Sequence, residues 1–237
     1  MAPIRMKNLS IAYDTFPRYL RPSLYKYRLI CGRGRTGETR RRMSVVTGII
    51  PGVDEMPGSV DEVIKLAQTG RRLKYVFFWG HRPQRDGSIG TGCLSQWWPS
   101  LFTVDGVRFA TAEHYMMWRK ALLFGDEEAA GRIVAASHPR QAKMLGRRVR
   151  GFDEQTWVRE RRAIVRQASV AKFGQRRELR DFLVGTGERI LVEASPTDRI
   201  WGIGLAATDE RTADPARWRG LNLLGFALME AREQLRE

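Results

Sequence analysis

Cysteine and histidine are scarce in this 237-residue chain: Cys31 and Cys93 are the only thiols, and His81, His114 and His138 the only imidazoles. Two thiols cannot build a disulfide framework, and neither they nor the histidines fall at the spacing of a structural zinc site. Long apolar runs are missing as well. No stretch approaches the ~18 residues of a membrane span. The first thirty residues are broken by Arg5, Lys7, Arg18, Arg21, Lys26 and Arg28, which is not the pattern of a secretory signal. These absences predict a cytoplasmic protein that contacts no membrane and has no structural metal. Acidic residues are also outnumbered, 26 against 41 lysines and arginines, for a formal net charge of +15.

That charge is unevenly spread. Residues 1–50 hold eleven Lys and Arg against Asp14 and Glu38, a net +9, which leaves only +6 for the remainder. A basic arm on a mildly basic domain is a weaker nucleic-acid signal than a basic domain, although it suits an anionic, phosphate-bearing ligand. The arm is cut by Pro17, Pro22 and the stretch Gly32-Arg33-Gly34-Arg35-Thr36-Gly37. This stretch matches G-x-G-x-x-G, but Glu38-Thr39-Arg40-Arg41-Arg42 after it offers no apolar helix face, which argues against a dinucleotide site. The reading is a poorly ordered basic extension over residues 1–56 and one domain over 57–237.

Within that domain, Ser59-Val60-Asp61-Glu62 is a capping box opening a helix that Gly70 ends. Tyr75-Val76-Phe77-Phe78-Trp79 reads as a short buried strand. Phe102-Thr103-Val104 and Val107-Arg108-Phe109, joined by Asp105-Gly106, read as a hairpin. Helices are expected over 111–124, 126–137 (ended by Pro139), 142–147, 153–173, 175–184 and 221–235, with a strand at 190–194. The fold class is therefore α+β and predominantly helical, a single compact domain with a few short strands. Hydrophobic residues, 43% of the chain, suffice for its core.

Three segments carry candidate chemistry. In Ala112-Glu113-His114-Tyr115-Met116-Met117-Trp118-Arg119-Lys120, Glu113 and Lys120 fall on one helix face about two turns, or ~10.5 Å, apart. Helical side chains lean toward the N-terminus, carrying the amine back toward the carboxylate, and a ribose-sized ligand could lie between them. The plainer alternative is that Glu113 only favours the helix N-terminus and Lys120 is solvated. In Leu191-Val192-Glu193-Ala194-Ser195-Pro196-Thr197-Asp198-Arg199-Ile200-Trp201-Gly202, a strand enters a turn that can present Asp198 and Trp201 at a pocket rim. An Asx turn with Trp201 in the core is equally compatible. The third segment, Phe77-Phe78-Trp79-Gly80-His81 with Leu94-Ser95-Gln96-Trp97-Trp98-Pro99, could sandwich a planar base or simply be core; Trp79 and Gln96 are the open cases.

Together these segments resemble the NADAR (YbiA-like) family. The matching pieces are Phe77 to His81, Cys93 to Pro99, Ala112 to Met117 with Lys120-Ala121, Ala142-Lys143 with Leu145-Gly146-Arg147, and Ala171-Lys172-Phe173. Thr186-Gly187, Leu191 to Asp198, Trp201 to Gly204 and Gly220 to Gly225 follow in order. The resemblance implies a compact, largely helical N-glycosidase with no metal or organic cofactor. It implies a small phosphorylated ribosyl substrate, a phosphoribosylaminopyrimidine intermediate of riboflavin synthesis, or alternatively ADP-ribosylated guanine in DNA. Both substrates join ribose C1 to an exocyclic amine. Such a glycoside can open its sugar ring to an imine, so Lys120 could take the sugar as a Schiff base; direct attack by water on an oxocarbenium-like centre is the competing route. On this resemblance Glu113, Lys120 and Asp198 are the catalytic candidates. Trp79, Gly80, Gln96, Tyr115, Trp201 and Asn222 would line the pocket, with Lys143 and Arg147 holding the phosphate. A non-catalytic nucleotide- or nucleic-acid-binding module, with the basic arm supplying affinity, is the rival class.

Overall fold

The computed structural model describes residues 56–237, so the expectation of a poorly ordered extension and the rejected glycine motif lie outside the described residues. Seven helices are described: α1 (Val60–Gln68), α2 (Ala112–Leu123), α3 (Glu127–Val134), α4 (Pro139–Gly146), α5 (Glu154–Gly174), α6 (Arg177–Gly185) and α7 (Leu223–Arg236). Four short strands accompany them: β1 (Tyr75–Phe78), β2 (Phe102–Val104), β3 (Val107–Phe109) and β4 (Ile190–Glu193). No described helix is long and apolar enough to cross a membrane.

Local chemistry sets most of these boundaries. Ser59 caps α1 by accepting from the Glu62 N–H, but the Glu62 carboxylate returns to the Gly58 N–H, one residue before the position an ideal capping box uses. The β2–β3 turn places Asp105 and Gly106 at φ 51° and 77°, the paired left-handed residues that a tight hairpin requires. Pro139 does not end the third helical segment as expected. That helix stops at Val134, and Pro139 opens α4, with His138 as N-cap. Proline suits a first helical position because its missing N–H has no partner there in any case.

Thr111 caps α2, and its hydroxyl also meets Nδ1 of His114 at 2.8 Å. Nε2 of that ring lies 3.0 Å from the Ala136 carbonyl and must donate to it. His114 is thus a neutral, buried histidine whose pKa is lowered by desolvation and which ties α2 to the end of α3.

The core lies between the long α5, α7 and a parallel pair of strands, β1 beside β4, which brings Phe78 alongside Glu193. β1 is half-buried rather than buried, and Trp79, expected in the strand, lies beyond it and is 66% exposed. The other edge of β4 faces the start of α7, where Gly225 packs so closely that a Cβ would strike the Leu191 carbonyl oxygen. Gly225→Ala is therefore expected to lower stability by roughly 2–3 kcal/mol despite alanine's better helix propensity. Thermal unfolding checks this, with Gly131→Ala as the comparison, since a Cβ at Gly131 meets only open space.

Candidate active site

Glu113 stands in the first turn of α2, 2% exposed. Its N–H donates to the Gln96 carbonyl (3.1 Å), and its Oε2 accepts from the indole Nε1 of Trp97 (3.2 Å). Oε1 is buried without a partner. Burial pushes this carboxyl up to about 7, and Asp198 adds to the rise. Lys143, the Trp97 hydrogen bond and Arg147 oppose it.

A second carboxyl belongs to the same cluster. Glu193 closes β4, and its Oε2 is inaccessible and unpartnered. Burial raises it to about 8; Asp198 and Glu113 push the same way, against Lys143. Sequence reasoning did not single out Glu193. The available signal was an acid ending the apolar strand Ile190-Leu191-Val192, where an alternating or buried pattern would place another hydrophobe.

The turn after β4 supplies Asp198. Its Oδ1 accepts from the N–H groups of Ile200 (2.9 Å) and Trp201 (2.8 Å), an Asx turn that fixes the carboxylate and leaves Trp201 half-buried. Three acids on α2, β4 and its turn thus share one electrostatic environment, with Lys143 of α4 acting on both buried members. No group of three or more His, Cys, Asp or Glu residues among the described residues is arranged to hold a metal ion.

The other candidates are placed as follows. Gln96 is buried, its carbonyl on Glu113 and its side-chain Oε1 without a partner. Trp79 and Gly80 line a cavity of about 450 Å³ with His81, Arg82, Gln84 and Gly92. The His81 ring packs against Trp97 at 5.7 Å, linking this cavity to the partner of Glu113. A larger cavity, about 720 Å³, opens among Leu66, Arg72, Lys74, Arg189 and Ile190, at the opposite end of the parallel strands from Glu193, and none of the three coupled acids lines it.

Lys120 is half-buried, and its amine donates to the Gly146 carbonyl (2.9 Å) with the Phe152 ring 4.1 Å away. Desolvation lowers its pKa. Lys143 precedes Gly146 by one helical turn, so Lys120 reaches the end of α4 from which Lys143 acts on Glu113. Arg147 caps that end and is exposed. Tyr115 is fully buried among Phe102, Phe109 and Trp118, its phenol pushed up to about 12 by desolvation. Asn222 is also fully buried, accepting from the Glu193 N–H (3.0 Å) and donating to the Leu191 carbonyl (2.9 Å).

A small α+β domain that gathers raised carboxyls around a lysine, with an exposed tryptophan lining a cavity joined to them through His81 and Trp97, has the equipment of an acid–base hydrolase. The chain belongs to the NADAR domain family, whose model matches residues 77–236. It is 42% identical over 166 residues to N-glycosidase R617 of Acanthamoeba polyphaga mimivirus, covering 68% of this chain and 96% of that protein. N-glycosidase YbiA of Escherichia coli (strain K12) is 36% identical over 138 residues, 58% of this chain and 76% of that one. The solved NMR structure of E. coli YbiA superimposes with a TM-score of 0.54 at 29% identity, over 76% of this chain and 94% of that one. These relatives, with N-glycosidase Npun_R5314 of Nostoc punctiforme, identify the chain as a hydrolase acting on N-glycosyl compounds.

The raised carboxyls have a stability signature. Glu193 is ordinarily near 4.5 and stands at about 8 when folded, so the folded chain holds a proton that the unfolded chain has released. Its contribution is fully present below pH 4.5 and is lost as pH rises through about 8. Glu193→Gln, which does not titrate, is expected to gain Tm relative to wild type between pH 5 and pH 8, as paired thermal scans at both pH values would show.

Proposed function

We propose that this chain hydrolyses the N-glycosidic bond between a phosphorylated ribose and an exocyclic amine of a pyrimidine- or guanine-like base. The observation that carries the reading is the buried Glu113–Glu193 pair, which stays partly protonated near neutral pH beside Asp198 and Lys143. Cleavage breaks the C1–N bond, gives the departing amine a proton and adds water to C1. A carboxylic acid that keeps its proton near pH 7 supplies the first need, and the carboxylate left behind stabilises positive charge at C1. Glu113 is the donor in this scheme, because Trp97 anchors Oε2 and leaves Oε1 free. Asp198 then takes the proton of the attacking water.

The unpartnered oxygens of Glu193 and Gln96 suit ribose hydroxyls, which are donors. Lys143 and Arg147 provide cations for the phosphate. Trp79, two-thirds exposed beside its cavity, offers a stacking face for the base. In this reading Asn222 serves the pocket by fixing β4, and Tyr115 by filling the core under α2. The preferred substrate is a phosphoribosylaminopyrimidine of riboflavin synthesis; ADP-ribosyl-guanine in DNA is the alternative with the same bond.

The lowered pKa of Lys120 supports a second route, in which its free amine takes the opened sugar as a Schiff base before water releases it. The two routes give different outcomes. Glu113→Gln is expected to lower release of ribose 5-phosphate from a phosphoribosylaminopyrimidine by ~10²–10⁴-fold, measured beside release of ADP-ribose from modified guanine. Borohydride should trap a sugar adduct on Lys120 that is absent in Lys120→Met if the amine carries the sugar. A loss under tenfold in that variant, with no trapped adduct, assigns direct attack by water. No turnover of either substrate by folded wild type would refute the enzymatic reading.

A further inference from the structure

Behind the carboxyl cluster lies a cation with no carboxylate partner among the described residues. Lys172, in the last turn of α5, is 1% exposed. Its amine donates to the carbonyls of Cys93 (2.5 Å) and Ser95 (2.8 Å), 79 and 77 residues earlier in the chain. Desolvation drives its pKa down to about 7. A lysine buried this way conflicts with its own solvation, and conflicts of that kind persist where a site depends on them.

What the amine holds supplies the reason. Cys93 and Ser95 flank the end of the short turn Thr91–Leu94, and the next two residues grip Glu113 at both ends. The Gln96 carbonyl accepts the Glu113 N–H, and the Trp97 indole donates to Oε2. The Trp97 N–H is itself held by Ser95 Oγ at 3.2 Å. A chain of contacts therefore runs from α5 through residues 93–97 to one carboxyl on α2. Nothing in it requires Lys172 to touch substrate.

We propose that Lys172 is a positioning residue for Glu113, fixing the carbonyls of Cys93 and Ser95 so that the Trp97 indole N–H meets the carboxyl. The inference rests on Glu113 as the acid–base group, but its test reads the carboxyl itself and requires no turnover. The carbon-13 carboxyl signal of Glu113, assigned by its loss in Glu113→Gln, is followed from pH 5 to pH 9 in the full chain. Lys143 and Arg147 from α4, and Glu193 and Asp198 from β4 and its turn, also face this carboxyl and are kept in every variant.

The Trp97 hydrogen bond favours the carboxylate, so losing its alignment raises the midpoint. Lys172→Met is expected to move it up from about 7 by roughly half to one unit. Trp97→Phe should do the same, and the double variant should move no further than Trp97→Phe alone, since both act on one contact. An unmoved midpoint in folded Lys172→Met overturns the proposal. So does a full additional shift in the Trp97→Phe background, which would mean that the charge of Lys172, and not its grip on the turn, acts on Glu113. If Lys172→Met does not fold, Lys172→Gln, whose neutral amide ends one bond short of the amine and so loses its hold on the two carbonyls, enters the same cycle with the same two outcomes. With substrate in hand, kcat should fall about ten- to a hundredfold in Lys172→Met while KM changes little. An inactive wild type with these midpoint shifts intact would count against the N-glycosidase reading alone.

Discussion

One side chain, Asn222, does the work of an absent strand. β4 pairs with β1 along one edge, and on the other the Glu193 N–H and the Leu191 carbonyl would face apolar core with no ladder to join. The Asn222 amide meets both, its oxygen on the N–H and its nitrogen on the carbonyl, as a neighbouring backbone would. Satisfying two buried backbone groups at once spares a penalty of ~1–3 kcal/mol for each. The residue sits at φ 50°, a left-handed conformation that asparagine tolerates better than most side chains. From there α7 begins immediately, and Gly225 lets the helix close onto Leu191. The placement of Glu193 depends on this clamp.

Around that fixed strand the site is an exercise in controlled desolvation. Two glutamates deep in the protein would each prefer to be neutral, and a third acid nearby strengthens the preference. Lys143 limits the effect without abolishing it, because its charge is shared between the two carboxyls. The indole of Trp97 works on the same side as Lys143, favouring ionised Glu113. The balance brings the pair close to neutrality, where proton transfer in either direction is easiest. Cys93 is a spectator: burial pushes its thiol up to about 12 against the pull of Lys172, and it carries no nucleophilic thiolate.

Much of this was legible in the sequence, for identifiable reasons. Periodicity and caps located all seven α-helices among the described residues, though not the short 3-10 turns at 91–94, 210–213 and 215–217, and Asp105-Gly106 announced the hairpin, because those signals are local. The error at Pro139 was also local: proline disfavours the middle of a helix but suits its first turn, and the spacing of Val134 and His138 does not say which applies. Glu113 and Asp198 could be singled out because each begins a recognisable feature, a capped helix and an Asx turn. Glu193 could not, since its meaning comes from its neighbours on α2 and α4. Tyr115 shows the converse. Two residues from Glu113 on the helix, it points into a cluster of aromatics that no sequence spacing reveals.

The pairing of β1 with β4 joins Tyr75 to Ile190, so roughly 115 residues of chain must close before the strand bearing Glu193 has a partner. Helices form from local contacts in microseconds, whereas closure of so distant a pair is slow and comes late. During synthesis the aromatic turn and all of α2 through α6 leave the ribosome before β4 does. The chain can therefore collapse around His114 and the helical hairpins while Glu113 still lacks its neighbouring acids. Only the last fifty residues bring Glu193 and Asp198 to it, which makes the complete carboxyl cluster a property gained at the final step of folding.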